Sequence, residues 1–115
     1  MENNNIGFKP DYEEEALTFD QTQALKGETL LEFGAPWCKH CQASTTAVKK
    51  ALTVHSAVSH IKIYDGKGKP LGRAFNVKHW PTLILLRNGH EVDRLVRPLK
   101  ANEVHQLIIK NHVKN

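Results

Sequence analysis

The strongest constraint on the fold is a short apolar run that passes directly into a helical pattern. Residues 29 to 34 (TLLEFG) lie between Gly27 and the Ala35-Pro36 break, as expected for a strand covered on both faces. From Cys38, apolar residues recur at helical spacing and predict a helix that runs to about Val54. A covered strand followed by a helix indicates a layered α/β domain.

The rest of the chain continues this alternation. A short strand over 16–19 and a helix that Asp20 caps and that runs to Leu25 are expected before the covered strand. The later elements are a strand at 61–64, a short helix at 70–75, a hairpin of 82–87 and 91–96 around Asn88-Gly89, and a helix from Lys100 to about His112. The predicted order is β-α-β-α-β-α-β-β-α, with the first strands parallel.

Length and composition indicate one soluble domain. The chain has 115 residues, of which 40% are hydrophobic and 24% charged, and its longest aliphatic run, 83–86, is too short to span a bilayer. Residues 1–14 contain few apolar side chains and are expected to form a flexible extension, which leaves 15–113 as the domain. The start of the chain lacks the basic and apolar features of a secretory signal, so a cytoplasmic monomer is expected. The net charge of +4 is dispersed, so neither nucleic acid nor membrane is an expected partner.

The two cysteines, Cys38 and Cys41, are three positions apart. A disulfide between them would close so small a loop that its stabilisation would be under ~2 kcal/mol, which makes a structural bridge a poor explanation. The spacing fits a metal half-site or a redox pair.

The position of Cys38 at a strand-to-helix junction favours redox chemistry. The positive end of the helix dipole favours a thiolate there, and Lys39 and His40 supply further positive charge or hydrogen-bond donors. Cys41 lies one turn later on the same face, where it can attack a mixed disulfide formed at Cys38. Cys38 is therefore predicted to be the exposed nucleophile and Cys41 the buried resolving thiol.

Two segments resemble the active-site and proline-loop segments of the thioredoxin family, namely 32–41 (EFGAPWCKHC) and Trp80-Pro81-Thr82. The resemblance covers roughly residues 16–112. It implies a thioredoxin fold, a three-layer α/β/α arrangement with a central mixed sheet of four to five strands. It also implies disulfide exchange with substrate proteins, with no cofactor besides the reversible Cys38–Cys41 disulfide. Electrons would pass to or from a thioredoxin reductase or glutathione.

The same resemblance assigns roles around the cysteines. Pro81 would be cis and would cap the site, the backbone beside it would pair with an extended substrate, and Trp37, Trp80 and Thr82 would shape the groove. Glu32 matches a buried acidic residue of the family, which would take the proton of Cys41 and return it. The alternative for Glu32 is an edge-strand carboxylate in solvent.

Some residues depart from the family pattern. Lys39-His40 replaces the Gly-Pro of reducing thioredoxins and is closer to the protein disulfide isomerase and DsbA-like branches, which predicts a more oxidising pair. Trp80 and Arg97 also differ and leave the substrate range open. Basic side chains either border the groove and favour acidic partners or are ordinary solvated surface; they are Lys39, Lys78, His79, Arg94 and Arg97.

Two competing hypotheses remain. Cys38, Cys41, His55 and His60 have the spacing of a Cys2His2 zinc site, but Cys41 and His55 would stand about 21 Å apart on one helix, so no metal is predicted. Near predicted element ends, a histidine is expected to be solvated or to have a carbonyl partner at a helix C-terminus; this applies to His55, His60, His105 and His112. The other hypothesis keeps the fold but makes the domain an interaction or chaperone module with little redox turnover.

Overall fold

A four-stranded mixed sheet organises the part of the chain that the structure describes, residues 7–13 and 17–111 of this computed structural model. The elements are α1 (Phe19–Gln23), β1 (Glu28–Gly34), α2 (Lys39–Val54), β2 (Ser59–Tyr64), α3 (Pro70–Ala74), β3 (Thr82–Arg87), β4 (His90–Val96) and α4 (Ala101–Ile109). The strand order is β2-β1-β3-β4, with β1 parallel to β2 and antiparallel to β3. This architecture confirms the predicted fold.

Both faces of the central strands are covered, which explains why β1 and β3 are apolar without alternation. On one face, Leu30 of β1 packs in a cluster with residues of α2 and α4. On the other face, Leu31 and Phe33 pack with Leu71 of α3 and with Phe75. The sheet therefore forms the middle of three layers, because successive side chains of a strand point to opposite faces.

The topology brings two loops together at one end of the central strands β1 and β3. β1 ends at Gly34 and leads to Cys38, while β3 runs antiparallel and begins at Thr82, which is paired with Phe33. The segment before β3 contains a cis peptide bond between Trp80 and Pro81, as the family resemblance implies. The cysteines and the proline loop consequently meet at the end of β1.

The predicted beginning of the domain is wrong in detail. Residues 17 and 18 form no strand, and Ala16 lies outside the described residues. Thr18 rather than Asp20 caps α1: its hydroxyl accepts from the Gln21 N–H at 3.1 Å, and the Gln21 side chain accepts from the Thr18 N–H at 2.9 Å. This reciprocal capping box satisfies two backbone donors at once and sets the start of the helix.

Residues 7–13 also differ from the predicted flexible extension. The Glu13 N–H donates to the Lys62 carbonyl at 2.8 Å, and Glu13 forms a parallel bridge with Ile63. The Lys62 ammonium donates to the Pro10 carbonyl at 2.9 Å and lies 4.2 Å from the centre of the Tyr12 ring. The segment adds to the outer edge of β2, whose backbone groups would otherwise need water.

Candidate active site

Cys38 forms the N-cap of α2, and its sulfur accepts a hydrogen bond from the Cys41 N–H at 3.2 Å. Both cysteines are free thiols and pack with Ala35 against Tyr64 and Trp80. Cys38 is 8% exposed and Cys41 2%. The prediction of an exposed Cys38 is therefore wrong, because Cys38 belongs to this packed cluster. A cavity of about 370 Å³ still reaches Cys38.

The environment of Cys41 keeps its thiol protonated. Burial, followed by a hydrogen bond to the Cys38 side chain, raises the pKa of Cys41 to about 12. The Ala35 backbone and the Tyr12 side chain act in the opposite direction. Cys41 thus directs both its thiol and its backbone N–H at the Cys38 sulfur, an arrangement that stabilises negative charge on that sulfur.

Glu32 is buried on the central strand β1, so the solvent-exposed alternative is wrong. Its carboxylate lies 2.8 Å from Nε2 of His60, which is itself fully buried. The other ring nitrogen, Nδ1, is 2.8 Å from the Lys9 N–H. Because a backbone N–H can only donate, Nδ1 accepts, and the ring proton lies on Nε2 and is donated to Glu32.

His60 was therefore wrongly expected to be solvated. β2 begins at Ser59, earlier than predicted, and the alternation of the strand places His60 on the face opposite Ile61. Phe8 of the N-terminal segment covers that face, with its ring centre 5.4 Å from that of the imidazole. The sequence signal for this burial was the position of His60 directly before the predicted strand 61–64.

Tyr12 is a second site residue that the sequence does not predict. Its hydroxyl is hydrogen-bonded to Cys41, and its pKa is far above the usual value, chiefly because of burial and then because of the nearby Glu32 and Cys41. The phenol therefore stays protonated and can donate to the Cys41 sulfur. The space here is narrow: a Cβ on Gly34 would lie 2.5 Å from the Cys41 sulfur and 3.0 Å from the Tyr12 oxygen.

The cavity in front of Cys38 has aromatic and basic walls. Trp37 is 62% exposed and meets Trp80 edge-on, with ring centres 5.4 Å apart. The lining residues are Trp37, Cys38, Lys39, His40, Lys78, His79, Trp80 and Arg97. Most of the residues predicted to border the groove therefore do so.

Three predicted groove residues do not line this cavity. Thr82 is buried, and its hydroxyl donates to the His79 carbonyl at 2.6 Å, which holds the proline loop. Pro81 is buried, and the Trp80–Pro81 peptide bond is cis. Arg94 binds Glu91 at 2.6 Å and the Phe75 carbonyl at 2.9 Å, away from the cysteines.

Comparison with known proteins agrees with this geometry. The thioredoxin family model matches residues 12–110. The chain belongs to the thioredoxin family. Thioredoxin 2 of Pseudomonas aeruginosa, in its reduced form, shares 42% identity and a TM-score of 0.81, over 90% of this chain and 95% of that one. A thioredoxin of Nicotiana alata shares 26% identity and a TM-score of 0.69, over 83% and 82%.

Curated relatives of this thioredoxin-family chain include much longer proteins. A protein disulfide-isomerase of Hordeum vulgare is 38% identical over 80 residues, which are 64% of this chain and 16% of that protein. The chain thus spans about one sixth of that relative's length.

The zinc spacing is not assembled in this thioredoxin domain. His55 follows the last residue of α2 and lies 2.7 Å from His105 of α4, while His60 binds Glu32. The described residues contain no group of three or more histidine, cysteine or acidic side chains that could hold a metal ion. Among those residues there is also no helix long and apolar enough to cross a membrane. His112 lies outside them.

Proposed function

We propose that this chain is a protein thiol-disulfide oxidoreductase in which Cys38 attacks and Cys41 resolves. The observation that carries the proposal is the convergence of the Cys41 thiol and N–H on the Cys38 sulfur at the start of α2, where a cavity opens. Membership of the thioredoxin family supports it.

The first step is attack on the substrate. The Cys38 thiolate forms a bond to one sulfur of a substrate disulfide, whose S–S bond breaks, and the second substrate sulfur leaves as a thiolate that takes a proton from water. Trp37 and Trp80 flank the incoming segment. The backbone beside cis-Pro81 is proposed to pair with it as an added strand.

The second step releases the substrate. Cys41 gives its proton to Glu32 and attacks the Cys38 sulfur, which forms the Cys38–Cys41 disulfide and expels the remaining substrate thiolate. That thiolate takes up the proton. One substrate disulfide has then been reduced and one dithiol of this chain oxidised, and the reverse sequence oxidises a substrate.

The polar groups behind Cys41 support this second step. The Tyr12 hydroxyl donates to the Cys41 sulfur as that sulfur becomes charged. This hydrogen bond compensates in part for the burial of Cys41. His60 holds the Glu32 carboxylate through its Nε2–H. Both contacts depend on the segment 7–13, since that segment supplies Tyr12 and the Lys9 N–H.

The setting of this chemistry is also a proposal. The chain is proposed to act as a monomer in the cytoplasm and to exchange electrons with a thioredoxin reductase or with glutathione. Its cysteine usage supports this, because the two cysteines are accounted for by the exchange site. His40, beside the cavity, supports a pair that is more oxidising than that of a reducing thioredoxin.

Turnover on a disulfide-bonded protein tests the proposed function. With dithiothreitol as electron source, the wild-type chain is expected to accelerate reduction of insulin disulfides, and Cys38→Ser to abolish the acceleration. Cys41→Ser is expected to trap the substrate on Cys38, as mass spectrometry would show. A wild-type protein with no acceleration would contradict the proposal and favour the interaction or chaperone module.

A further inference from the structure

In the part of the chain that the structure describes, the basic residues that line the Cys38 cavity are not held in ion pairs. At the far end of the sheet and on α4, Arg87, Arg94 and Lys110 form ion pairs with carboxylates. Within the described ranges, Lys39 and Lys78 have no acidic partner within ion-pair distance. The same is true of Arg97. The positive charge at the cavity is therefore not neutralised by a bound carboxylate of the described residues.

The walls of the cavity carry a single sign of charge. Lys39, Lys78 and Arg97 each contribute one permanent positive charge, and none of the lining residues is acidic. The acidic neighbour, Asp65, is buried beneath the loop and accepts a hydrogen bond from the Trp80 indole at 2.9 Å. Clefts lined by one sign of charge concentrate oppositely charged partners and increase association rates about 10- to 1,000-fold.

Arg97 is held in place beside the reactive loop. Its backbone adopts a φ of 54°, its Nε donates to the Trp80 carbonyl at 2.8 Å, and its N–H donates to the Pro81 carbonyl at 3.0 Å. These bonds hold Arg97 against the proline loop, where it lines the cavity. A guanidinium fixed in this way recognises carboxylates better than a freely rotating ammonium does.

We propose that this cavity selects substrate proteins whose disulfide lies in an acidic segment, with Lys39, Lys78 and Arg97 binding carboxylates beside the cystine. The proposal rests on the proposed function, because it assigns the substrate class of the same site. Trp37 and Trp80 contact the apolar parts of the segment. The exchange chemistry itself is unchanged.

Three cyclic disulfide peptides test this selectivity. They share one disulfide loop and differ only in the flanking residues, which are aspartate, asparagine or lysine. At low salt, the reduced protein is expected to exchange with the aspartate peptide on the order of 10-fold faster than with the asparagine peptide, and most slowly with the lysine peptide. At about 1 M salt, where the Debye length is about 3 Å, the three rates should converge.

Matched variants separate the cavity from the net charge. The triple variant Lys39→Gln, Lys78→Gln and Arg97→Gln should bring the aspartate-to-asparagine rate ratio close to one. The control variant loses the same charge at Lys26, Lys50 and Lys110, which are outside the cavity, and should keep the ratio. Equal rates of the wild-type protein with the three peptides would overturn the proposal. Equal loss of the aspartate preference in both variants would overturn it too.

A binding measurement keeps this inference distinct from the proposed function. The two tryptophans of the chain both line the cavity, so their fluorescence reports its occupation. An aspartate peptide with serines in place of its cysteines should cause a saturable change that the asparagine peptide does not. If no peptide is exchanged, the proposed function fails. This titration then still shows whether the cavity binds acidic segments. Absence of the change, or tighter binding of a single-stranded oligonucleotide, would overturn the acidic-protein assignment.

Discussion

Replacing Tyr12 by phenylalanine removes one hydroxyl from the resolving cysteine and leaves the rest of the ring. A hydrogen bond to a charged group contributes about 1.5–3 kcal/mol, which corresponds to about one to two units in the pKa of the sulfur. Loss of the Tyr12 hydroxyl should therefore raise the pKa of Cys41 further above about 12. The Cys41 thiolate would become about 10- to 100-fold rarer at neutral pH.

The expected change in rate is smaller than the change in thiolate population. A sulfur of higher pKa is also a better nucleophile, with a Brønsted coefficient of about 0.4–0.5, so roughly half of the loss is recovered. The attack of Cys41 on the mixed disulfide should consequently slow roughly 3- to 15-fold in Tyr12→Phe. The attack of Cys38 on a substrate precedes this step and should change little.

A stopped-flow reaction with dithiobis(nitrobenzoate) separates the two steps. Attack by Cys38 releases one thionitrobenzoate, and resolution by Cys41 releases the second, so the slow phase measures the predicted effect. Tyr64→Phe is the matched control, because the Tyr64 hydroxyl accepts from the Trp37 indole at 3.3 Å and the substitution removes the same group. An unchanged slow phase in Tyr12→Phe, or equal slowing in both variants, would show that the Tyr12 hydroxyl does not assist Cys41.

Three further predictions concern stability. Because the pKa of Cys41 is raised to about 12 in the folded protein, the unfolded chain releases the Cys41 proton at lower pH. The reduced protein should therefore lose stability as pH rises from about 9 to 12, and Cys41→Ser should lose less. Urea unfolding across that pH range would show the difference. Gly34→Ala should destabilise the reduced protein by about 1–3 kcal/mol, since its Cβ would meet the Cys41 sulfur. Gly66→Ala is the control, because its Cβ would have its nearest contact at 3.7 Å, and it should change little in the same urea titration. Equal effects of the two substitutions would contradict this prediction. His60→Ala should cost at least about 1.5–3 kcal/mol, because the buried Glu32 carboxylate loses the hydrogen bond from the ring Nε2–H. Glu32→Gln in the same background should restore part of the loss, which a double-mutant cycle measures.

The cysteine site could be predicted because its signals are local. The covered strand, the break at Ala35-Pro36 and the helical periodicity place Cys38 at a helix start, and the structure has α2 begin at Lys39 with Cys38 as its cap. The Asn88-Gly89 turn was equally readable, since both residues adopt positive φ, at 51° and 85°. Residues close in sequence form these features, so short-range rules suffice.

The groups behind Cys41 depend on contacts that composition does not reveal. Tyr12 is 29 positions before Cys41, and it reaches the site because its segment satisfies the edge of β2 through backbone bonds. Backbone pairing is nearly independent of side-chain type, so a polar segment gives little indication of it. His60 is contacted by that same segment, through the Lys9 N–H and the Phe8 ring. The start of α1, by contrast, has a local signal: Thr18 and Gln21 have the spacing of a capping box, and Asp20 was the wrong cap.

The most direct test of the central claim is equilibration of the chain with glutathione buffers of defined potential, followed by mass spectrometry of the trapped thiols. We expect a reversible Cys38–Cys41 disulfide with a potential above the roughly −270 mV of thioredoxin, if His40, which lines the cavity with Cys38, stabilises the reduced form as proposed. Cys41→Ser should yield only a mixed disulfide with glutathione at Cys38. A wild-type protein that forms no internal disulfide at any potential would contradict the account.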